Sequence, residues 1–179
     1  TSGLIVAAKN DLAHQGLARQ FEKHSIERAY TALVWGNVAT AKGSIEGNIA
    51  RSSANRKKMA VVKSGGKHAR THYKVLKRFG PPSDPFASLV DCRLETGRTH
   101  QIRVHFTKLG HPLVGDPLYG RGRQGSRKKL GDEIADAIVA FDRQALHARM
   151  LGFIHPKSRE KLQFESDLPS DFSALLKCF

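Results

Sequence analysis

The chain has 179 residues, of which 40% are apolar and only 7 are proline, the size and make-up of one globular domain with a continuous core. A peptide hormone and a disordered tail are excluded on that ground. The 30 Lys and Arg against 16 Asp and Glu leave a formal charge of +14, which favours a polyanionic partner, nucleic acid first, although a merely solvated basic surface gives the same count.

Taken in chain order, Leu4 to Ala8 reads as a short buried strand. Asp11 to Lys23 reads as a helix, because Ala13, Leu17 and Phe21 recur every four residues, and Asn10 or Asp11 can cap its start. Ala29 to Trp35 is a β-branched and aromatic run closed by Gly36 and Asn37, hence a strand, and Gly43 to Ile49 continues in extended character. The basic stretch Arg51 to Lys58, then Met59 to Val62 and Lys63 to Lys67, resembles a hairpin with basic arms. Thr71 to Arg78 and Ser88 to Leu94 alternate as strands on either side of a proline-rich loop at Pro81 to Pro85.

Beyond Gly97 the period changes. Thr99 can cap a helix beginning at His100, with Ile102, Phe106 and Leu109 on one face and Gly110 as its stop; the alternation of Ile102, Val104 and Phe106 keeps a strand open as the competing reading. Gly120 to Lys129, rich in Gly, Arg and Lys, reads as a mobile loop. A strand pair near Met150 to Ile154 and Leu162 to Glu165, then a short helix from Asp171, end the chain. The pattern predicts an α+β fold with a mixed, largely antiparallel sheet and flanking helices.

The densest chemistry lies between Leu94 and Gly120, where Arg98, His100, Arg103, His105, His111, Asp116 and Tyr119 are gathered around a helix start. Arg98 and Arg103 flanking a helix N-terminus can hold a phosphate or clamp a carboxylate. Several enzymatic templates fail: His100 and His105 lack the four-residue spacing of a helical metal pair, and no GxSxG elbow, Walker loop or dinucleotide fingerprint is present. Cys92 and Cys178 form no CxxC pair, so neither a disulfide framework nor a zinc site is expected and a reducing cytoplasm fits. No apolar run approaches the ~20 residues of a membrane span.

Four blocks in order carry a resemblance. They are Thr1 to Asn10, the strand Arg28-Ala29-Tyr30-Thr31-Ala32-Leu33-Val34-Trp35-Gly36, the segment Thr96 to Tyr119 with Arg98-Thr99-His100-Gln101-Ile102-Arg103, and Phe141-Asp142-Arg143-Gln144-Ala145-Leu146-His147-Ala148 with His155-Pro156. Together they resemble the RluA/RluD family of ribosomal RNA pseudouridine synthases, the last block its RluD branch. The resemblance implies a pseudouridine synthase-like catalytic domain in which Arg103 ion-pairs with the catalytic aspartate. It also implies that Tyr30 stacks on the target base and assists proton removal from C5, and that Ile102 lines the pocket. Bottom-up, an aromatic face suits a flipped uracil, and an arginine keeps a buried carboxylate ionised for attack.

In that family the nucleophilic aspartate lies three residues before the position of Thr1, after His-Arg-Leu. Residues 1–179 are therefore expected to be a partial catalytic domain, lacking that aspartate, the arginine beside it and any S4-like RNA-binding domain, and inactive as such. Asp11, Asp91 and Asp116 are not substitutes by motif. Neither metal nor organic cofactor is required. Arg51, Arg56, Lys57 and Lys58, with Lys63, Lys67 and Arg70, form one candidate RNA-binding patch; Arg121 and Arg123, with Arg127, Lys128 and Lys129, form another, and Arg98 belongs to the pocket mouth. The reading is a cytoplasmic, monomeric isomerase acting on uridines of large-subunit ribosomal RNA, away from membranes. A non-catalytic RNA-binding or ribosome-assembly module on the same fold is the alternative, and a DNA-binding protein is disfavoured because no helix-turn-helix or zinc finger is present.

Overall fold

A computed structural model of the chain describes residues 1–120 and 130–179. Eight strands share one sheet: β1 (Ser2–Gly3), β2 (Glu27–Trp35), β3 (Lys42–Arg51), β4 (Met59–Val62), β5 (Lys67–Phe79), β6 (Ala87–Leu94), β7 (Leu146–Ile154) and β8 (Lys161–Glu165). Their order is β1-β7-β2-β6-β5-β3-β4, with β8 beside β7. Every described pairing of named strands is antiparallel except that of β1 with β7, so the sheet is mixed and largely antiparallel, as the periodicity predicts.

The central strand β2 is buried on both faces from Thr31 to Trp35, and its alternation sorts the core. Ala32 and Val34 point to the face that also holds Ile45, Val90, Cys92 and Leu113, covered by Ile102 and Phe106 of helix α2 (Gln101–Lys108). Leu33 and Trp35 point to the opposite face, covered by Phe141 of α3 (Asp132–Phe141) and by Phe172 and Leu175 of α4 (Ser170–Cys178). Phe106 and Phe172 are wholly buried, each worth about 1.5–3 kcal/mol relative to exposure. Helix α1 (Asp11–Glu22) starts where Asn10 accepts the Ala13 N–H at 2.9 Å, and lays Leu17 against Ile26, Leu151 and Phe153.

Three local expectations change. The strand predicted from Leu4 to Ala8 is confined to Ser2 and Gly3. Its alternation is present, since Leu4 and Val6 pack on the Leu17 cluster while Ile5 is exposed, but the outer edge of β7 is taken from Met150 onward by β8. Helix α2 is not capped by Thr99. His100 occupies the cap position in a left-handed conformation (φ 55°) with no side-chain cap bond, and the side chain of Gln101 instead ties the preceding turn to the helix, accepting from the Arg98 N–H at 2.9 Å and from Thr96 Oγ1 at 2.7 Å. The strand alternative for this segment falls for the same reason that it arises. Ile102 and Phe106 face the sheet while Val104 packs with the hairpin residues Ile49 and Met59, so apolar residues lie on two sides of the helix and the polar Gln101, Arg103 and His105 between them are buried as well. Helix α3 has no counterpart among the sequence expectations, and the loop predicted over residues 120–129 lies almost wholly outside the described residues.

Beneath α2 the Gln101 amide reaches β5, donating to the Arg70 carbonyl and to Thr71 Oγ1, both at 3.0 Å, while His105 Nδ1 lies 3.0 Å from the same hydroxyl. The His105 ring is fully buried, its Nε2 has no partner, and burial pushes its pKa down to about 4. The unfolded chain therefore binds the proton more tightly. The stabilisation is complete above the ordinary histidine value of 6.5 and is lost as pH falls toward 4. Unfolding titrations between pH 7 and 4 are expected to show a loss of roughly 3 kcal/mol, and His105→Met, which leaves Thr71 its Gln101 partner, should flatten the curve in that window. An unchanged curve in the variant assigns the acid limb elsewhere.

Candidate active site

A cleft of about 330 Å³ opens where β2, the β6–α2 turn, the first turn of α2 and the start of β7 converge. Tyr30 supplies one wall. Beside it the β2–β7 ladder shifts register, Arg149 of β7 being the extra residue between the partners of Ala29 and Tyr30, while opposite it on β6 the pairing with Cys92 is regular. Burial raises the Tyr30 pKa, with the charge of Arg28 acting in the opposite sense, so the phenol is neutral at pH 7. Ile102 and Arg103 form the facing wall and Leu146 the floor. Arg98 stands at the mouth, its Nε donating to the His68 carbonyl at 3.0 Å.

Arg103 is held by Asp116. Nε donates to Asp116 Oδ2 at 2.7 Å and Nη2 to Oδ1 at 2.8 Å, a parallel fork, while the guanidinium carbon lies 4.9 Å from the centre of the Tyr119 ring. Oδ1 also accepts the backbone N–H groups of Leu118 at 2.9 Å and Tyr119 at 3.0 Å. Burial acts to raise the Asp116 pKa, but the bonds from Arg103, Tyr119 and Leu118 outweigh it and hold the carboxyl below its ordinary value. The turn that delivers Asp116 needs Gly115, which has φ +70° and whose added Cβ would lie 2.1 Å from the Arg143 carbonyl oxygen.

This geometry leaves Asp116 no free oxygen with which to attack a bound molecule. Its side chain has no exposed surface, both oxygens are engaged, and it does not line the cleft. It is an orienting anion. Arg103 does line the cleft, and among the described residues none accepts from its Nη1, so that edge of the fork remains for a second acceptor.

Thr1 lies on the rim of the same cleft. It is tethered there by Gln144 Nε2, which donates to Thr1 Oγ1 at 3.1 Å, and by the parallel pairing of Ser2 with His147. Ser2 Oγ is 3.1 Å from His147 Nδ1 and accepts from Arg143 Nη1 at 3.3 Å.

The chain matches the RNA pseudouridylate synthase family over residues 1–108. It belongs to that family. Across 99% of its length it is 49% identical to the ribosomal large subunit pseudouridine synthase D of Zymomonas mobilis, covering 52% of that protein. It is 46% identical to the protein of the same name from Nitrosomonas europaea, covering 48% of it. The chain thus spans about half the length of the curated relatives it matches. Among solved structures, human RNA pseudouridylate synthase domain containing 1 superposes with a TM-score of 0.71 at 30% identity, over 96% of this chain and 66% of that one.

Within this synthase domain, the structure brings Tyr30, Arg98, Ile102 and Arg103 together and leaves the other sequence-predicted residues outside the cleft. Arg51, Arg56, Lys57 and Lys58 lie at the β3–β4 turn, mostly exposed, with Arg51 Nη1 donating to the Arg56 carbonyl at 2.9 Å. They are linked to the site through Tyr119, whose hydroxyl accepts the Met59 N–H at 2.8 Å and lies 3.0 Å from His100 Nδ1. Arg70 is largely neutralised by Glu46 and Glu95. Arg121 and Arg123 lie outside the described residues. Sequence reasoning misses the Arg103–Asp116 pair, which joins two turns 13 residues apart, and the tether from Gln144 to Thr1, which spans 143 residues; the Gly115-Asp116 turn is the one local signal. No group of His, Cys, Asp and Glu that could hold a metal occurs among the described residues.

Removing one partner of a buried pair strands the other charge. Asp116→Ala is therefore expected to lower the unfolding free energy by about 3–5 kcal/mol, with most of the loss recovered when Arg103→Met is added. Urea denaturation of both single variants and the double variant checks this, and additive losses would show that the two side chains are uncoupled.

Proposed function

We propose that the full-length protein isomerises uridines of large-subunit ribosomal RNA to pseudouridine, as a monomer in the cytoplasm. The observation that carries this reading is the cleft in which Tyr30 faces Arg103, with one edge of the arginine fork unpaired and the rim formed by Thr1. In a family member this edge suits the carboxylate of the nucleophilic aspartate, which the family resemblance places three residues before Thr1. A carboxylate there would share the guanidinium with Asp116 and be kept ionised by it.

The reaction breaks the bond from uracil N1 to C1′ and makes one from C5 to C1′. C5 gives up a proton and N1 gains one, so atoms and electrons balance without a redox partner. The base must leave its stack to reach the cleft and must stay there after detachment. The Tyr30 ring gives it a flat partner, Ile102 and Leu146 exclude water, and the neutral phenol places a hydroxyl where a proton has to be moved. The relatives named for the ribosomal large subunit, and the formal charge of +14, support ribosomal RNA as the substrate. No helix among the described residues is long and apolar enough to cross a membrane.

Chemical mapping of pseudouridine in large-subunit RNA, from cells whose only source of the modification is the full-length chain, tests this reading. At least one uridine should be converted. Arg103→Lys, which keeps the charge but loses the fork, and Tyr30→Phe should each reduce the single-turnover rate by about 10²-fold or more, with Tyr30→Phe keeping a melting temperature near the parent's. A folded full-length chain that leaves every uridine unmodified would make the protein a non-catalytic RNA-binding module.

A further inference from the structure

A second cavity, of about 440 Å³, adjoins the cleft and shares Arg98 with it. Its other lining residues include Glu22, His24, Arg28, Lys67 and Gly97. Arg28 has a peculiar situation there. It is half-buried, its guanidinium lies over the Phe21 ring at 5.5 Å, and its Nε has neither solvent contact nor a hydrogen-bond partner. None of the ion pairs among the described residues involves Arg28, Lys67 or Arg98, and Glu22 forms none with them.

The fold nevertheless makes room for this arginine. A Cβ at Gly97 would lie 2.1 Å from Arg28 Nη1, so the guanidinium occupies the space that any other residue in the turn would fill. Burial, with the like charge of Arg98 adding to it, pushes the Arg28 pKa down. Two guanidiniums and an ammonium around one cavity, with a single carboxylate, repel each other unless an anion lies between them. Arg28 precedes Tyr30 by two residues on the same face of β2, a separation of about 7 Å along the strand.

Resting on the reading of the cleft as a uridine site, we infer that Arg28, Arg98 and Lys67 form a subsite for one RNA backbone phosphodiester adjoining the nucleotide whose base lies against Tyr30. A guanidinium fork matches the two non-bridging oxygens of a phosphodiester, and the stacked Phe21 ring fixes the Arg28 plane. The phosphate would anchor the backbone while the base turns into the cleft.

The test uses the full-length chain and a fluorescent RNA nonamer with one central uridine among adenosines, read by anisotropy and needing no turnover. In Arg28→Gln the slope of log affinity against log salt should fall by about 0.7, the share of one single-strand phosphate. Replacing each phosphodiester in turn by a neutral methylphosphonate should weaken the parent by roughly tenfold at one linkage beside the uridine, and should cost Arg28→Gln nothing at that linkage. A general structural role for Arg28 would not single out a linkage. If Arg28→Gln lowers the melting temperature, Arg98→Gln, whose side chain is partly exposed, runs the same comparison and decides. An unchanged slope and affinity overturn the subsite. A reduced slope with no coupled linkage, or competition by inorganic phosphate alone, overturns its assignment to the backbone. Absence of pseudouridine in the mapping experiment would sink the activity while leaving the salt-slope result standing.

Discussion

The bidentate pair of Arg103 and Asp116 is the interaction on which the rest of the site depends. It joins the first turn of α2 to the turn after Gly115, two segments that the sheet alone does not connect, in surroundings where both side chains are nearly inaccessible. A buried ion pair has to recover the desolvation of two charges, and this one does so with two short bonds between the partners and two more from backbone N–H groups. That completeness has a functional side. Asp116 is saturated and can only orient, whereas Arg103, having spent one edge of its fork on Asp116, presents the other to the cleft without rotational freedom. The same helix buries Ile102 and Phe106 in the core, so the position of the charge is set by apolar packing as much as by the ion pair.

Which parts of this were legible in the sequence follows from the range of the forces involved. Strands such as β5 and β6 announce themselves by alternation because each residue senses only the face it points to, whereas β2, buried on both faces, is legible as a β-branched and aromatic run. Helix α1 is bounded by Asn10, a cap that acts over three residues. Helix α2 is ambiguous in sequence because apolar residues are buried on two sides of it, and the Gln101 amide that anchors its first turn donates to Thr71 and Arg70, 30 residues or more away. Leu4 to Ala8 has the alternation of a strand and lacks only a free edge, which is a property of β8 and not of the segment. Tyr30, Ile102 and Arg103 could be named through family resemblance; that Arg103 is forked to Asp116, and that Arg28 stands unpaired beside Gly97, required distances.

The large positive surplus is not spread evenly in its effect. Glu46 and Glu95 engage Arg70, Asp91 engages Arg149, and Asp171 engages Arg143, so several cations along the sheet are already paired within the domain. Those that form no ion pair among the described residues include Arg28, Lys67 and Arg98 beside the cleft and Arg51, Arg56, Lys57 and Lys58 on the hairpin. A count of charges overstates the field over the paired region and understates how strongly it is focused at the cleft and the hairpin. Screening by salt sharpens the contrast, since beyond a Debye length of about 8 Å at physiological ionic strength only the nearby unpaired charges act on a bound strand.

The separation of tasks along β2 then has a physical logic. A detached uracil is uncharged and is retained by contact and exclusion of water, which calls for an aromatic ring, an isoleucine and a leucine in a narrow cleft. A phosphodiester is charged and is retained by paired donors, which calls for guanidiniums whose own counter-ions have been left out. Placing both on one face of a single strand, two residues apart, fixes their distance more firmly than any loop could, because the strand is hydrogen-bonded on both sides from Ala29 onward. The extra residue of the β2–β7 register shift, Arg149, lies on β7, so β2 keeps its regular pairing with β6 from Ala29 onward and Tyr30 packs on the same cluster as Ala32 and Val34. Arg28 and Tyr30 share one face two residues apart, and the Gly97 turn receives the first while the cleft receives the second, so the spacing of the strand itself lets its neighbouring positions serve two adjacent cavities.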